Sequence, residues 1–160
     1  MLASDLQVER AAAAVTEMSL ARCTGLFTAV PTADHGVDLL AYQADPFRVA
    51  KIRVKGLRDH LTVFRWCCLT PMIVSYVLDP LGAGDVVLLT GEQAWNLAVE
   101  YVARSGDAGE DYPDNDYYHW RHRTELLTAM LREHRAGPTR WRELFDQTAT
   151  PAPAGNLGGQ

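Results

Sequence analysis

The chain is 160 residues long, 48% apolar and 22% charged, which excludes general disorder and provides for one domain with a sizeable core. Its formal net charge of -5, from 15 Lys and Arg against 20 Asp and Glu, excludes a nucleic-acid binder that is basic all over. No apolar run approaches the ~18 residues of a membrane span, and the N-terminal stretch carries acids where a secretory leader carries a basic segment, so no membrane partner and a cytoplasmic location are expected.

Residues 3–22 read as a helix: Ala-rich, without Gly or Pro, with Ser4 or Asp5 as N-cap and Gly25 marking its end. Leu26–Val30 is a short strand and Pro31–Gly36 a loop. Val37–Gln43 and Phe47–Lys55 are strands joined through Ala44-Asp45-Pro46, which predicts an antiparallel hairpin. Thr62–Leu69 is a further strand or buried segment, with Trp66 packed inside. Met72–Leu78 is apolar enough for a central strand, and Asp85–Leu89 follows a Gly-rich turn. Thr90-Gly-Glu-Gln93 is a capping box, after which Ala94, Leu97, Ala98 and Tyr101 share one apolar helix face. Residues 105–116 form an acidic, turn-rich loop, most simply a solvated one. Tyr117–His134 holds a helix with Leu126, Leu127, Met130 and Leu131 inward. Gly137-Pro138 ends it, and Trp141, Leu144 and Phe145 mark a last short helix before a tail with the composition of a disordered end.

This order predicts an α/β (α+β) fold, divided into a core at 1–104, a loop and helical extension packed on it at 105–148, and a tail at 149–160. The cysteines Cys23, Cys67 and Cys68 give no disulfide framework and no Cys-x-x-Cys zinc pair, and read as reduced, buried thiols. His119 and His122, at i, i+3 spacing, are a weak candidate metal pair at a helix start. His35 and His60 are loop histidines near the hairpin.

The charges are more informative by position than by total. Only two of the 15 cations are Lys, and both, Lys51 and Lys55, lie in one strand. Strand alternation sets Lys51, Arg53 and Lys55 on one face and Ala50, Ile52 and Val54 on the other. Like charges in a row repel, so an anion is expected beside them. Asp38, in the preceding strand, shares a face with Leu40 and Tyr42, and an antiparallel return brings it near the end of the strand that carries Lys55.

Gly36-Val-Asp38-Leu-Leu, a hairpin, then Ile52-Arg-Val-Lys55-Gly resembles the active-site hairpin of the PD-(D/E)XK nuclease-like superfamily, which includes Holliday-junction resolvases and many restriction enzymes. The resemblance covers roughly residues 5–104. It implies a restriction-endonuclease-like αβββαβ core with a mixed sheet, DNA as partner, and Mg²⁺ or Mn²⁺ as cofactor if the site is active. It implies Asp38 as metal ligand, Lys55 as catalytic lysine, and a helical Glu as a further ligand: Glu9 by preference, with Glu17 as the other candidate. Carboxylates would hold the metal that acidifies an attacking water, and the lysine would stabilise charge developing on the phosphate. Lys51, Arg53 and Arg58 are the expected nucleic-acid contacts.

The pattern departs from the family at Arg53, where the family carries an acid or Gln. An arginine offers no lone pair to a metal. Three readings stay open. The missing ligand comes from Gln43, Asp34 or the second helical Glu; the site is degenerate and the fold binds without cutting; or Asp38 forms a structural salt bridge with Arg53 or Lys55. The expected function is a nuclease-like domain that acts on or binds DNA, a Mg-dependent endonuclease if active. The alternative is a non-catalytic module for a protein or nucleic-acid partner on the same fold, with a homodimer formed through Met72–Leu78 or the helical extension. The C-terminal Arg121, Arg123, Arg132, Arg135, Arg140 and Arg142, interleaved with aromatics, would suit phosphate contacts, although several have Glu neighbours to pair with.

Overall fold

The computed structural model describes residues 4–32, 35–107 and 116–151. In chain order its elements are α1 (Asp5–Cys23), β1 (Phe27–Ala29), β2 (Leu39–Gln43), β3 (Arg48–Leu57), β4 (Leu61–Phe64), a 3-10 helix (Arg65–Leu69), β5 (Ile73–Leu78), β6 (Asp85–Thr90), α2 (Gly91–Ser105), β7 (Tyr117–Trp120), α3 (Glu125–Arg132), α4 (Pro138–Thr148) and β8 (Thr150–Pro151). The fold is mixed α and β around a mixed sheet. None of the described helices is long and apolar enough to cross a membrane.

Local chemistry sets the helix ends. Ser4 Oγ accepts the Gln7 N–H at 3.3 Å while Gln7 Oε1 accepts the Ser4 N–H at 2.8 Å, and Thr90 and Gln93 repeat this reciprocal cap on α2. Along α1 every fourth residue, Val8, Ala12, Thr16 and Leu20, is buried. Thr16 is tolerated there because its hydroxyl meets that of Ser75 on β5 at 2.8 Å, so neither buried polar group is left unpaired.

The main sheet runs β1-β2-β3-β5-β6, with β8 added to β3. β2 is antiparallel to β1 and β3, β3 is parallel to β5, and β6 returns antiparallel. One face packs under α1 and α4 through Ala41, Ala50, Ile52, Val77, Leu88, Trp141 and Phe145. The other packs under α2, α3 and the β4–β7 ribbon through Leu57, Tyr76, Leu89, Leu97, Tyr118 and Leu127. The residues beyond 116 therefore supply both faces of the core.

Several expectations change. The αβββαβ order predicts a helix between the third strand and its parallel neighbour, yet that crossover carries β4 and the 3-10 helix. The covering helix on that side is α2, after β6. Residues 117–120, expected at a helix start, form β7, because Tyr118 and Trp120 alternate inward once paired with Val63 and Leu61. His119 and His122 are thus not stacked on a helix, and the His119 Nδ1 shares a hydrogen bond with Thr62 Oγ1 at 2.7 Å. Met72–Leu78 cannot serve as a dimer surface: β5 is paired on both sides and all six of its residues are buried. Most of the acidic loop, at 108–115, and the tail from 152 lie outside the described residues. Thr150 and Pro151, expected in that tail, pair with Val49 and Arg48.

The outer edge of β6 is closed by chain 134–136. The His134 carbonyl accepts the Leu88 N–H, the Ala136 N–H donates to the Val86 carbonyl, and the Arg140 guanidinium donates to the Leu88 carbonyl at 3.0 Å. Burial, and then the nearby Arg140 charge, hold the His134 imidazole below its ordinary pKa against the weaker opposing pull of Glu133 and Glu100. Below about pH 6.5 the unfolded chain then binds more protons at this position than the folded one, so stability rises with pH in that window and falls on acidification. Thermal unfolding followed from about pH 7.5 to about pH 5.5 is expected to show a falling midpoint, with a shallower fall in His134→Gln. Equal slopes in the two proteins would remove His134 as the cause.

Candidate phosphate site on the third strand

The candidate site forms where β3 outlasts its neighbour. β2 begins at Leu39, opposite Ile52, so the β3 backbone beyond that pair has no strand on its outer side. Asp38 takes over there. Its N–H donates to the Ile52 carbonyl at 2.9 Å, and its Oδ2 accepts the Val54 N–H at 2.7 Å, in place of the missing strand partner.

Glu9 arrives from α1. Gly56 allows this approach: a Cβ on it would lie 2.8 Å from Val8 Cγ1 and 3.1 Å from the Val8 carbonyl oxygen. With the helix this close, Glu9 Oε1 meets Lys55 Nζ at 3.2 Å. Both lie in the wall of a cleft of about 250 Å³ whose lining includes Asp5, Arg58, His60, Thr62 and Phe64. Asp38 is not part of that lining, and no ion pair joins it to Arg53 or Lys55.

Arg53 has an unexpected partner. Its guanidinium carbon lies 5.4 Å from the centre of the Trp66 ring, a cation–π contact with a tryptophan presented by the 3-10 helix. Trp66 is 36% exposed, so the residue expected in the core instead supports a cation at the surface. Its presentation by a one-turn helix left no periodic signal in the sequence. Lys51 is exposed and has no ion-pair partner among the described residues. Alternation puts Lys51, Arg53 and Lys55 on one face of β3, which is also the face of Asp38.

The remaining candidates separate. Glu17 lies eight residues along α1 from Glu9, about 12 Å by the helical rise, too far to share one ion with it. Gln43 is spent in the hairpin turn, where its Nε2 donates to the Asp45 carbonyl at 2.9 Å. It pairs with Arg48, seven residues of β3 away from Lys55, or about 23 Å. Asp34 lies outside the described residues, and Arg58 and His60 line the cleft. The cysteines are free thiols. Burial pushes the Cys67 thiol up despite the opposing Arg53 charge, and Cys68 is raised by burial and then by Cys67 and Glu92, so neither is a ready thiolate.

As a donor set for a divalent cation these residues do not fit. Hard cations take several carboxylate or carbonyl oxygens. Here Glu9 is engaged by Lys55, Asp38 by a backbone N–H, and the third position holds a guanidinium. No cluster of three or more His, Cys, Asp or Glu side chains suited to a metal occurs among the described residues. A row of three cations, one of them balanced by Glu9, is suited to a phosphate oxygen. Comparison with protein-family models, with curated proteins and with solved structures finds no match to this chain.

Proposed function

We propose that this chain is a nucleic-acid-binding domain of the PD-(D/E)XK type in which a cationic phosphate site stands where the metal centre would be. The observation that carries the reading is Arg53: it occupies the acid position of the motif, rests on Trp66, and continues the row of Lys51 and Lys55. Support also comes from the meeting of the helical Glu9 with Lys55, and from the antiparallel β1-β2-β3 meander followed by a parallel strand. The work of such a site is to bind and orient: Arg53 and Lys51 hold phosphate oxygens, Glu9 fixes the Lys55 ammonium, and Asp38 keeps the end of β3 extended. The β3–β5 crossover, which carries β4 and a 3-10 helix in place of an α-helix, departs from the family's core and leaves the cleft walled by β4.

The test is binding to labelled DNA over a salt series. Wild type is expected to show a log–log salt slope of about -2, and Lys51→Ala and Arg53→Ala are each expected to reduce its magnitude by about one. Calorimetry with Mg²⁺ is expected to give no binding to wild type and measurable binding to Arg53→Glu, which restores an oxygen donor. DNA affinity unaffected by both alanine variants would overturn the site. The second reading, a metal-dependent phosphodiesterase, draws on the same Glu9–Lys55 contact. Plasmid cleavage in Mg²⁺ that is lost in Lys55→Ala would establish it over the first.

A further inference from the structure

Among the described residues, the sheet face opposite α1 and α4 is covered over only part of its width. The layer of α2, α3 and the β4–β7 ribbon takes in residues of β5, β6 and the Leu57 end of β3, and no residue of β1 or β2 enters that cluster. Register fixes what the uncovered part displays. Ala41 and Ala50 point into the other core, so the row Phe27, Tyr42, Val49 and the next row, Ala29, Leu40, Lys51, point outward on this side.

The first row is aromatic. The rings of Phe27 and Tyr42 stack at 5.3 Å and 25°, and Phe47 from the hairpin turn extends the group, its ring 6.1 Å from Tyr42. Phe27 is 55% exposed and Phe47 is 48% exposed. Two residues further along β3, about 7 Å, stands Lys51, exposed and without an ion-pair partner among the described residues, and the next step reaches Arg53 on Trp66. Exposed rings therefore lead into a row of cations on the same face of β3, Lys51, Arg53 and Lys55.

We infer that this face binds single-stranded nucleic acid, with bases stacked on Phe27, Tyr42 and Phe47 and the backbone running over Lys51 and Arg53 toward Lys55. The inference rests on the nucleic-acid reading above and narrows it. Apolar rings alone would suit many partners. Rings followed by a row of cations at strand spacing complement a polyanion that carries flat aromatic groups along its length. A duplex keeps its bases paired and stacked, whereas a single strand can lay them on a sheet.

The test is fluorescence anisotropy on the full chain with a labelled single strand of about twelve nucleotides and a duplex of the same sequence. Wild type is expected to prefer the single strand by tenfold or more. Phe27→Ala and Phe47→Ala are each expected to weaken single-strand binding by roughly fivefold to a hundredfold and leave duplex binding within about twofold. Lys51→Glu, at an exposed position, is expected to weaken both, and it keeps the test decisive if a truncation unfolds the chain. Equal affinity for the two DNA forms, unmoved by the aromatic variants, would overturn this inference and leave the phosphate site standing. No binding to either form would overturn both. A dimer in sedimentation that becomes a monomer in Phe27→Ala or Phe47→Ala would assign the face to a second copy of the chain instead.

Discussion

Gly91→Ala is expected to be among the most damaging single substitutions in this protein. Gly91 opens α2, and its Cα faces the 3-10 helix so closely that an added Cβ would collide with the Cys67 carbonyl oxygen and lie 2.7 Å from its carbon. The obstacle is backbone, which cannot rotate out of the way as a side chain would. Cys68 Sγ lies 3.6 Å from the Gly91 carbonyl, so both residues of the Cys67-Cys68 pair contribute to this junction. Relief requires the 3-10 helix to move off α2. We expect a loss of about 4 kcal/mol, beyond the 1–3 of ordinary overpacking, measured by urea unfolding against wild type. The movement would also shift Trp66 from Arg53. On the proposed nucleic-acid reading, binding to DNA is therefore expected to weaken in Gly91→Ala even at temperatures where the variant is folded. A loss under about 0.5 kcal/mol would mean that the junction yields without strain.

Trp141→Ala is the second. Trp141 is fully buried on the α1 face, packed with Leu20, Leu144 and Phe145, and its indole N–H donates to Ser19 Oγ at 3.0 Å. It ties α4 to α1, which in turn carries Glu9. Truncation removes the largest side chain of that core and leaves a cavity, a loss of about 3–5 kcal/mol. The thermal midpoint is expected to fall by on the order of 10 °C. Trp141→Phe retains most of the ring and loses chiefly the hydrogen bond, so it is expected to cost about 1–2 kcal/mol. Equal losses in the two variants would assign the effect to the hydrogen bond rather than to the filled volume.

Much of the fold was legible because local and tertiary preferences agree. Ser4/Gln7 and Thr90/Gln93 announce helix starts by chemistry that acts over three residues, and the apolar run around Ile73–Leu78 has no alternative to a central position. Tyr117–Trp120 carries no local strand signal because its strand partner, Leu61–Phe64, lies more than fifty residues earlier in the chain. Pairing at that distance overrides a short segment's own preference. At the site, the common face of Asp38, Arg53 and Lys55 follows from alternation and the hairpin. That Asp38 serves a backbone N–H depends on where β2 stops, and that Arg53 lies on Trp66 depends on a one-turn helix. Neither has a sequence period to reveal it.

The two borders of the main sheet differ in what they offer a neighbouring chain. Along β6 the Val86 carbonyl and both backbone groups of Leu88 are already bonded, to Ala136, His134 and Arg140. Along β1 the strand is only three residues long, and Pro31 follows two positions later. The protein is thus guarded against edge-to-edge polymerisation on one side by saturation and on the other by brevity. This matters for a chain that keeps Phe27 and Phe47 exposed: the rings can meet a partner face-on without the backbone beside them seeding a growing sheet.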